Sequence, residues 1–239
     1  MLPLLFALLA AAQQPQIQNG AVETRQATSL DRDIAAIASS AAEPVWVGWR
    51  ETAAAFVGNA CCWYQTDTEF SRGCTVEPQV PNTRGFAGMN VPDPRPAFPA
   101  PSGPVKLEAG TDVVVMLRIV PGSGDKQIER IRTFSDDCPL DAGGRKVIWL
   151  DRVPAAESVR YLSSLIALQD VSGTPTDLRR RINGAAISAI GMHRDGNVDE
   201  LIALARQSKD TSARSAAMTA LGRSRDPKAI AFIDGVLRK

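Results

Sequence analysis

Four cysteines, one histidine and a knot of aspartates are the side chains here whose types and spacing could do chemistry. Cys61 and Cys62 stand side by side in "NACCWYQT", Cys74 follows in a C-C-x11-C arrangement, and Cys138 sits in "FSDDCPLDAGG". Adjacent cysteines can ligate a metal, act as a reactive thiol pair, or end two separate disulfides. Zinc favours paired C-x2-C knuckles or nearby histidines; both are missing, and the single histidine, His193, is remote in sequence. A C-x-x-C redox motif is also missing. An even cysteine count in an exported chain instead favours disulfides at Cys61, Cys62, Cys74 and Cys138. A bond between neighbours 61 and 62 needs a strained ring. If "CCWY" runs as a strand, the two side chains leave opposite faces and find different partners. One is expected to bond Cys74 and the other Cys138, with Cys62–Cys74 and Cys61–Cys138 the preferred set.

The remaining candidates carry bland readings. His193 precedes Arg194-Asp195 at an expected helix end, which suits a cap or a surface position. Asp136, Asp137 and Asp141 cluster without the spacing of an EF-hand loop, so turn and cap duties beside Gly143-Gly144 are expected rather than calcium. A G-x-S-x-G elbow is missing, and Gly122 and Gly124 belong to a hairpin turn rather than a phosphate loop. The expectation is therefore no catalytic, cofactor-binding or metal residue and no cofactor. Arg179, Arg180 and Arg181 in "TDLRRRINGA" read first as a solvated face; the alternative is that they, with Arg214 downstream, dock an acidic protein partner.

Those residues need a compartment and a scaffold. The opening "MLPLLFALLAAAQQPQ" has a short apolar run followed by small residues and carries no charged side chain through Gln16. It reads as a secretory signal over residues 1–12, placing the chain outside the cytoplasm, in a periplasm or secreted. The apolar run is too short to span a bilayer, and no transmembrane segment is expected. Lys and Arg total 27 against 26 for Asp and Glu, so no global electrostatic case exists for nucleic acid or an anionic membrane. The 239 residues are enough to bury a real core.

Residues 13–27 are Gln-rich and read as a flexible lead-in. Leu30, Ile34 and Ile37 recur at helical spacing behind Ser29 as cap, and "VWVGWRE" alternates as a strand. Half of the sixteen prolines fall in 78–104, which predicts a long extended loop. "TDVVVMLRIV" and "QIERIRTF" form a hairpin pattern, and "RKVIWLD" adds a strand. Residues 28–152 thus read as an α+β domain stapled by disulfides. From 153 to 239 the pattern is helical throughout.

Within that tail, "AISAIGMHRDGNVDELIALAR" (186–206) aligns without gaps on "AMTALGRSRDPKAIAFIDGVL" (217–237), an offset of 217 − 186 = 31 residues. Each unit reads as helix, turn, helix, with alanines allowing close helix approach. Gly191 and Gly222 are expected to end helices in left-handed geometry, with Asp195 and Asp226 capping the helices that follow. The helix "PAAESVRYLSSLIAL" fits as part of a degenerate preceding unit. On "AAISAIG…DELIALAR" and "AAMTALGRSRDPKAIAFI", the tail resembles the HEAT-like repeats of the phycobilisome-lyase type. With "CCW" early and "FSDDCPLDAGG" midway, the whole also resembles exported bacterial HEAT-repeat proteins. The resemblance implies a short all-α solenoid that presents helix faces to a protein partner; a minority of the family assist chromophore attachment. The function expected is a non-enzymatic interaction or scaffold protein. The alternatives are a metal- or thiol-dependent enzyme or lyase-like cofactor handler, and a structural envelope component.

Overall fold

The computed structural model describes residues 16–54, 57, 60–65, 70–77, 111–122, 128–169 and 176–238. Residues 1–12, read from sequence as a secretory signal, and the whole proline-rich stretch 78–104 lie outside these residues.

Strands come first. They are β1 (Ile17–Gln18), β2 (Ala21–Gln26), β3 (Val45–Thr52), β4 (Trp63–Gln65), β5 (Phe70–Arg72), β6 (Cys74–Thr75), β7 (Asp112–Ile119), β8 (Ile128–Ser135), β9 (Leu140–Asp141) and β10 (Lys146–Asp151). A helix, α1 (Leu30–Ser40), separates β2 from β3. Five helices follow: α2 (Ala155–Gln169), α3 (Thr176–Met192), α4 (Asn197–Gln207), α5 (Thr211–Ser224) and α6 (Pro227–Leu237).

The main sheet has the order β2-β10-β3-β7-β8. The hairpin β7/β8 is antiparallel, as its sequence pattern predicts, and β3 runs antiparallel to β7. Strand β10 inserts between β2 and β3, parallel to both. Side chains alternate along β3, and both sets are buried. Val45, Val47 and Trp49 join α1, α2 and α3 in one apolar cluster. Trp46 points the other way, into a second cluster with Val114, Met116, Val147, Trp149, Cys74 and Cys138. Burial on both faces explains why β7 is a continuous apolar run rather than an alternating one. Gly48 shares the face of Trp46, where a Cβ would collide with Met116 Sδ and come within 3.1 Å of the Trp149 ring.

Residues 16–26 correct the expectation of a flexible lead-in. β1 pairs in parallel with β9, and β2 pairs along its whole length with β10. β2 buries almost no side chain, so it is held by backbone hydrogen bonds, a contribution that a polar composition conceals.

Helix α1 buries Leu30, Ile34 and Ile37 as their spacing predicts. Its first amide, Leu30 N–H, donates to Glu157 Oε1 of α2 at 2.7 Å, while Asp33 accepts from the amides of Thr28 and Ser29. Ser29 occupies the cap position without using its hydroxyl. Helices α3 and α5 pack on one another, as do α4 and α5, and α3 also packs on β8. The apolar cluster runs unbroken from β3 through Leu162, Ile187 and Ile190 to Leu201, Ala217 and Leu221.

Two glycines behave differently from expectation. Gly191 and Gly222 lie inside α3 and α5, and left-handed geometry falls instead at Gly196 and Arg225. Gly191 serves contact: a Cβ there would sit 3.1 Å from Ala220 Cβ of α5. Asp226 caps α6 as expected, accepting from Lys228 N and Ala229 N, but Gly196 rather than Asp195 holds the cap position of α4.

Candidate functional site

Three places concentrate chemistry: a sulfur cluster on one face of the sheet, a sealed polar network on the other, and a groove between α3 and α5.

The sulfur cluster is made by short strands that pin the chain around Cys138. Cys61 bonds Cys138 and Cys62 bonds Cys74, with Cα separations of 5.4 and 5.1 Å. Cys74 and Cys138 are buried, whereas Cys61 and Cys62 are partly open. The two bridges touch: Cys74 Sγ and Cys138 Sγ lie 3.8 Å apart. Backbone hydrogen bonds hold the four positions in register, from Gly73 N to Cys62 O, Ser135 N to Ala60 O and Cys74 N to Pro139 O. The aspartates beside Cys138 do local work. Asp141 accepts from Gly143 N and Asn19, and Asp137 pairs with Arg72 at 2.8 Å, while Asp136, raised by burial, keeps one oxygen without a hydrogen-bond partner.

Next to the sulfurs, Glu77 gathers Trp46 Nε1 at 2.6 Å and Arg118 at 3.1 Å, with Arg145 3.7 Å away. Burial alone would raise the Glu77 carboxyl, but the hydrogen bonds from Arg118 and Trp46 hold it below its ordinary range. Arg118 also bonds Glu129, so a largely buried cation is fully paired.

On the helical face, His193 corrects its surface assignment: it has no solvent exposure. The chain after α3 pairs back onto the end of β3, through Arg194 N to Thr52 O and Ala54 N to Met192 O, both 2.9 Å. This long-range pairing draws the imidazole inward. His193 Nδ1 lies 2.7 Å from Ala189 O and therefore carries the proton. Nε2 then accepts from the Ser158 hydroxyl at 2.8 Å, and Ser158 Oγ accepts from Trp49 Nε1 at 2.8 Å. Glu51, two residues beyond Trp49 on the same strand face, places Oε1 4.0 Å from Nε2.

Burial pushes Glu51 up to about 8, with the nearby Ser158 and Trp49 side chains opposing the rise, and burial also lowers His193. At neutral pH both are uncharged. Ser158 and His193 have the spacing of a nucleophile and its base. Both have zero exposure, so in this conformation the pair meets no substrate and acts as a polar cross-brace between β3, α2 and α3. The available sequence signal was Glu51 itself, a carboxylate continuing the apolar series Val45, Val47, Trp49.

The groove lies between the first helices of the two aligned units. Gly184, Ser188, Gly191, Ala216, Thr219 and Ala220 leave a cleft of about 230 Å³, with Arg223 at its rim. Small residues let the two backbones approach while keeping the surface open. None of the four arginines singled out from sequence lines it. Arg179 and Arg214 sit toward the opposite, N-terminal ends of α3 and α5. Arg179 acts on Asp210, the α5 cap, and Arg214 donates to Ser208 O at 2.8 Å and to Thr211. Arg180 pairs loosely with Asp177, and Arg181 lines a separate cleft with Arg130 and Arg132 of β8. The structure therefore divides the predicted basic patch. Among the described residues no helix is long and apolar enough to cross a membrane.

The chain matches no family model, no curated protein and no solved structure.

Proposed function

We propose that this chain is an extracytoplasmic protein-interaction module whose short HEAT-like array receives an extended segment of a protein partner. The groove between α3 and α5 carries this reading. It is an open cleft with an apolar floor, lined by small residues of the first helices of the two aligned units, with Ser188 and Thr219 at equivalent positions 31 residues apart, and its rim carries a cation. Such a cleft suits small apolar side chains, and Arg223 suits a neighbouring carboxylate. The disulfide bonds and the apolar opening segment support an exported setting.

The test fills the cleft. Ser188 and Thr219 are exposed, so Ser188→Trp and Thr219→Trp add bulk without disturbing the core. The mature chain, used as bait against native envelope, should retain a saturable partner that both variants lose while all four thiols stay oxidised. A partner retained equally by both variants would remove the groove from the account.

A further inference from the structure

We propose that the two disulfides form one exchange-coupled redox centre. On two-electron reduction by a dithiol, the chain would hold a single buried Cys74–Cys138 bond and present Cys61 and Cys62 as a vicinal dithiol. Three observations converge on this. The inner sulfurs, Cys74 and Cys138, belong to different bridges yet lie 3.8 Å apart. The outer sulfurs, Cys61 and Cys62, are the more exposed member of each bridge and are neighbours in sequence. Finally, Cys62 N–H donates to Cys74 Sγ at 2.9 Å, which stabilises that sulfur as a departing thiolate.

The steps balance. A thiolate of the dithiol attacks Cys62 Sγ, forms a mixed disulfide and expels Cys74 as thiolate. Cys74 then attacks Cys138 Sγ, forms the Cys74–Cys138 bond and expels Cys61 as thiolate. The second thiol of the reductant attacks its own mixed-disulfide sulfur, which leaves the reductant oxidised and frees Cys62. Cys61 and Cys62 take up the two protons that the reductant loses.

Cys61, Cys74 and Cys138 all lie within 4.8 Å of one another, so the resting approach is bent. Release from Cys62 frees Cys74 to rotate about χ1 into line. The backbone hydrogen bonds around Ala60, Cys62, Gly73 and Ser135 keep the sulfurs together while the bonds change. The substrate class is a dithiol that becomes a disulfide, and the product is a partly open dithiol pair at the surface.

The test is a graded reduction of the full chain with dithiothreitol, quenched with a thiol label at acid pH and mapped by mass spectrometry. Trypsin cleavage after Arg50, Arg72, Arg84, Arg132 and Arg145 puts Cys61 and Cys62 in one peptide, Cys74 in a second and Cys138 in a third. At the two-electron stage the expected species joins peptide 73–84 to 133–145, with two labels on 51–72. Either native bridge surviving alone, or direct passage to four labels, would overturn the proposal. Cys62→Ser sets the rearrangement without reductant: the expected product is Cys74–Cys138 with Cys61 labelled. Cys61–Cys138 intact with Cys74 labelled contradicts it. If that variant does not accumulate, the wild-type titration decides alone.

Discussion

The two faces of the main sheet are held by different means. One face carries three helices, the large cluster around Trp49 and Leu162, and a sealed hydrogen-bond network. The other is covered by strands of two residues and crossed by two disulfides. Helices bring long apolar stripes, and burial near 25 cal/mol per Å² suffices to hold them. Short strands bring few side chains, so covalent links take over where the cover is thin. Polar groups divide the same way. The thin side keeps its charges paired around Glu77, and the thick side keeps its titratable groups neutral around His193.

The comparison breaks most visibly at the long bridge. Cys61–Cys138 closes a separation of 77 residues and Cys62–Cys74 one of 12. The double substitution Cys61→Ala/Cys138→Ala should cost about 4.5 kcal/mol and Cys62→Ala/Cys74→Ala about 1.6 kcal/mol less, on chain entropy. Denaturant titration of the two variants reads the gap; equal losses would mean the bridges do not act through loop closure.

Trp49→Ala strikes the other face. It removes a fully buried indole and the hydrogen bond that orients Ser158, so a loss of about 3–5 kcal/mol is expected by the same titration. A loss under about 1 kcal/mol would show that the helical face does not depend on this residue.

The smallest effect concerns pH and separates the two kinds of polar group. Glu51 titrates at about 8 when folded and at 4.5 ordinarily, so the stability it contributes is complete below pH 4.5 and lost as pH rises through 8. His193 runs oppositely: its folded value lies below 6.5, so its contribution is complete above 6.5 and lost as pH falls. Below pH 6.5 the two slopes oppose one another. From 6.5 to 8 only Glu51 acts, and stability should fall by about 2 kcal/mol. Glu51→Gln should flatten that decline; an unchanged slope would remove Glu51 as its source.

How far this contrast was legible depended on whether local pattern or distant pairing decided each element. Leu30, Ile34 and Ile37 marked α1, and two apolar runs marked the β7/β8 hairpin, because period alone specifies those. The opposite-face argument for Cys61 and Cys62 anticipated that the two find different partners, although both precede strand β4 rather than lying in it. Other features depend on partners far along the chain. β2 is polar and exposed, and only β10, over a hundred residues away, makes it a strand. His193 reads as a helix end, and its burial follows from pairing with Ala53. Gly191 and Gly222 resemble helix stops, yet the helices run past them. At Gly191 the missing side chain makes room for Ala220 of α5.

The division between faces is tested most directly by hydrogen exchange on the native chain and on the fully reduced chain. Reduction should remove protection at Cys74, Val76 and Leu140, whose amides bond to Pro139, Asp141 and Gln16. Protection should persist at Ala54 and Arg194, whose amides join β3 to the end of α3. An even loss of protection across both sets would contradict the account, because it would mean that one cooperative core, rather than two differently held faces, carries the fold.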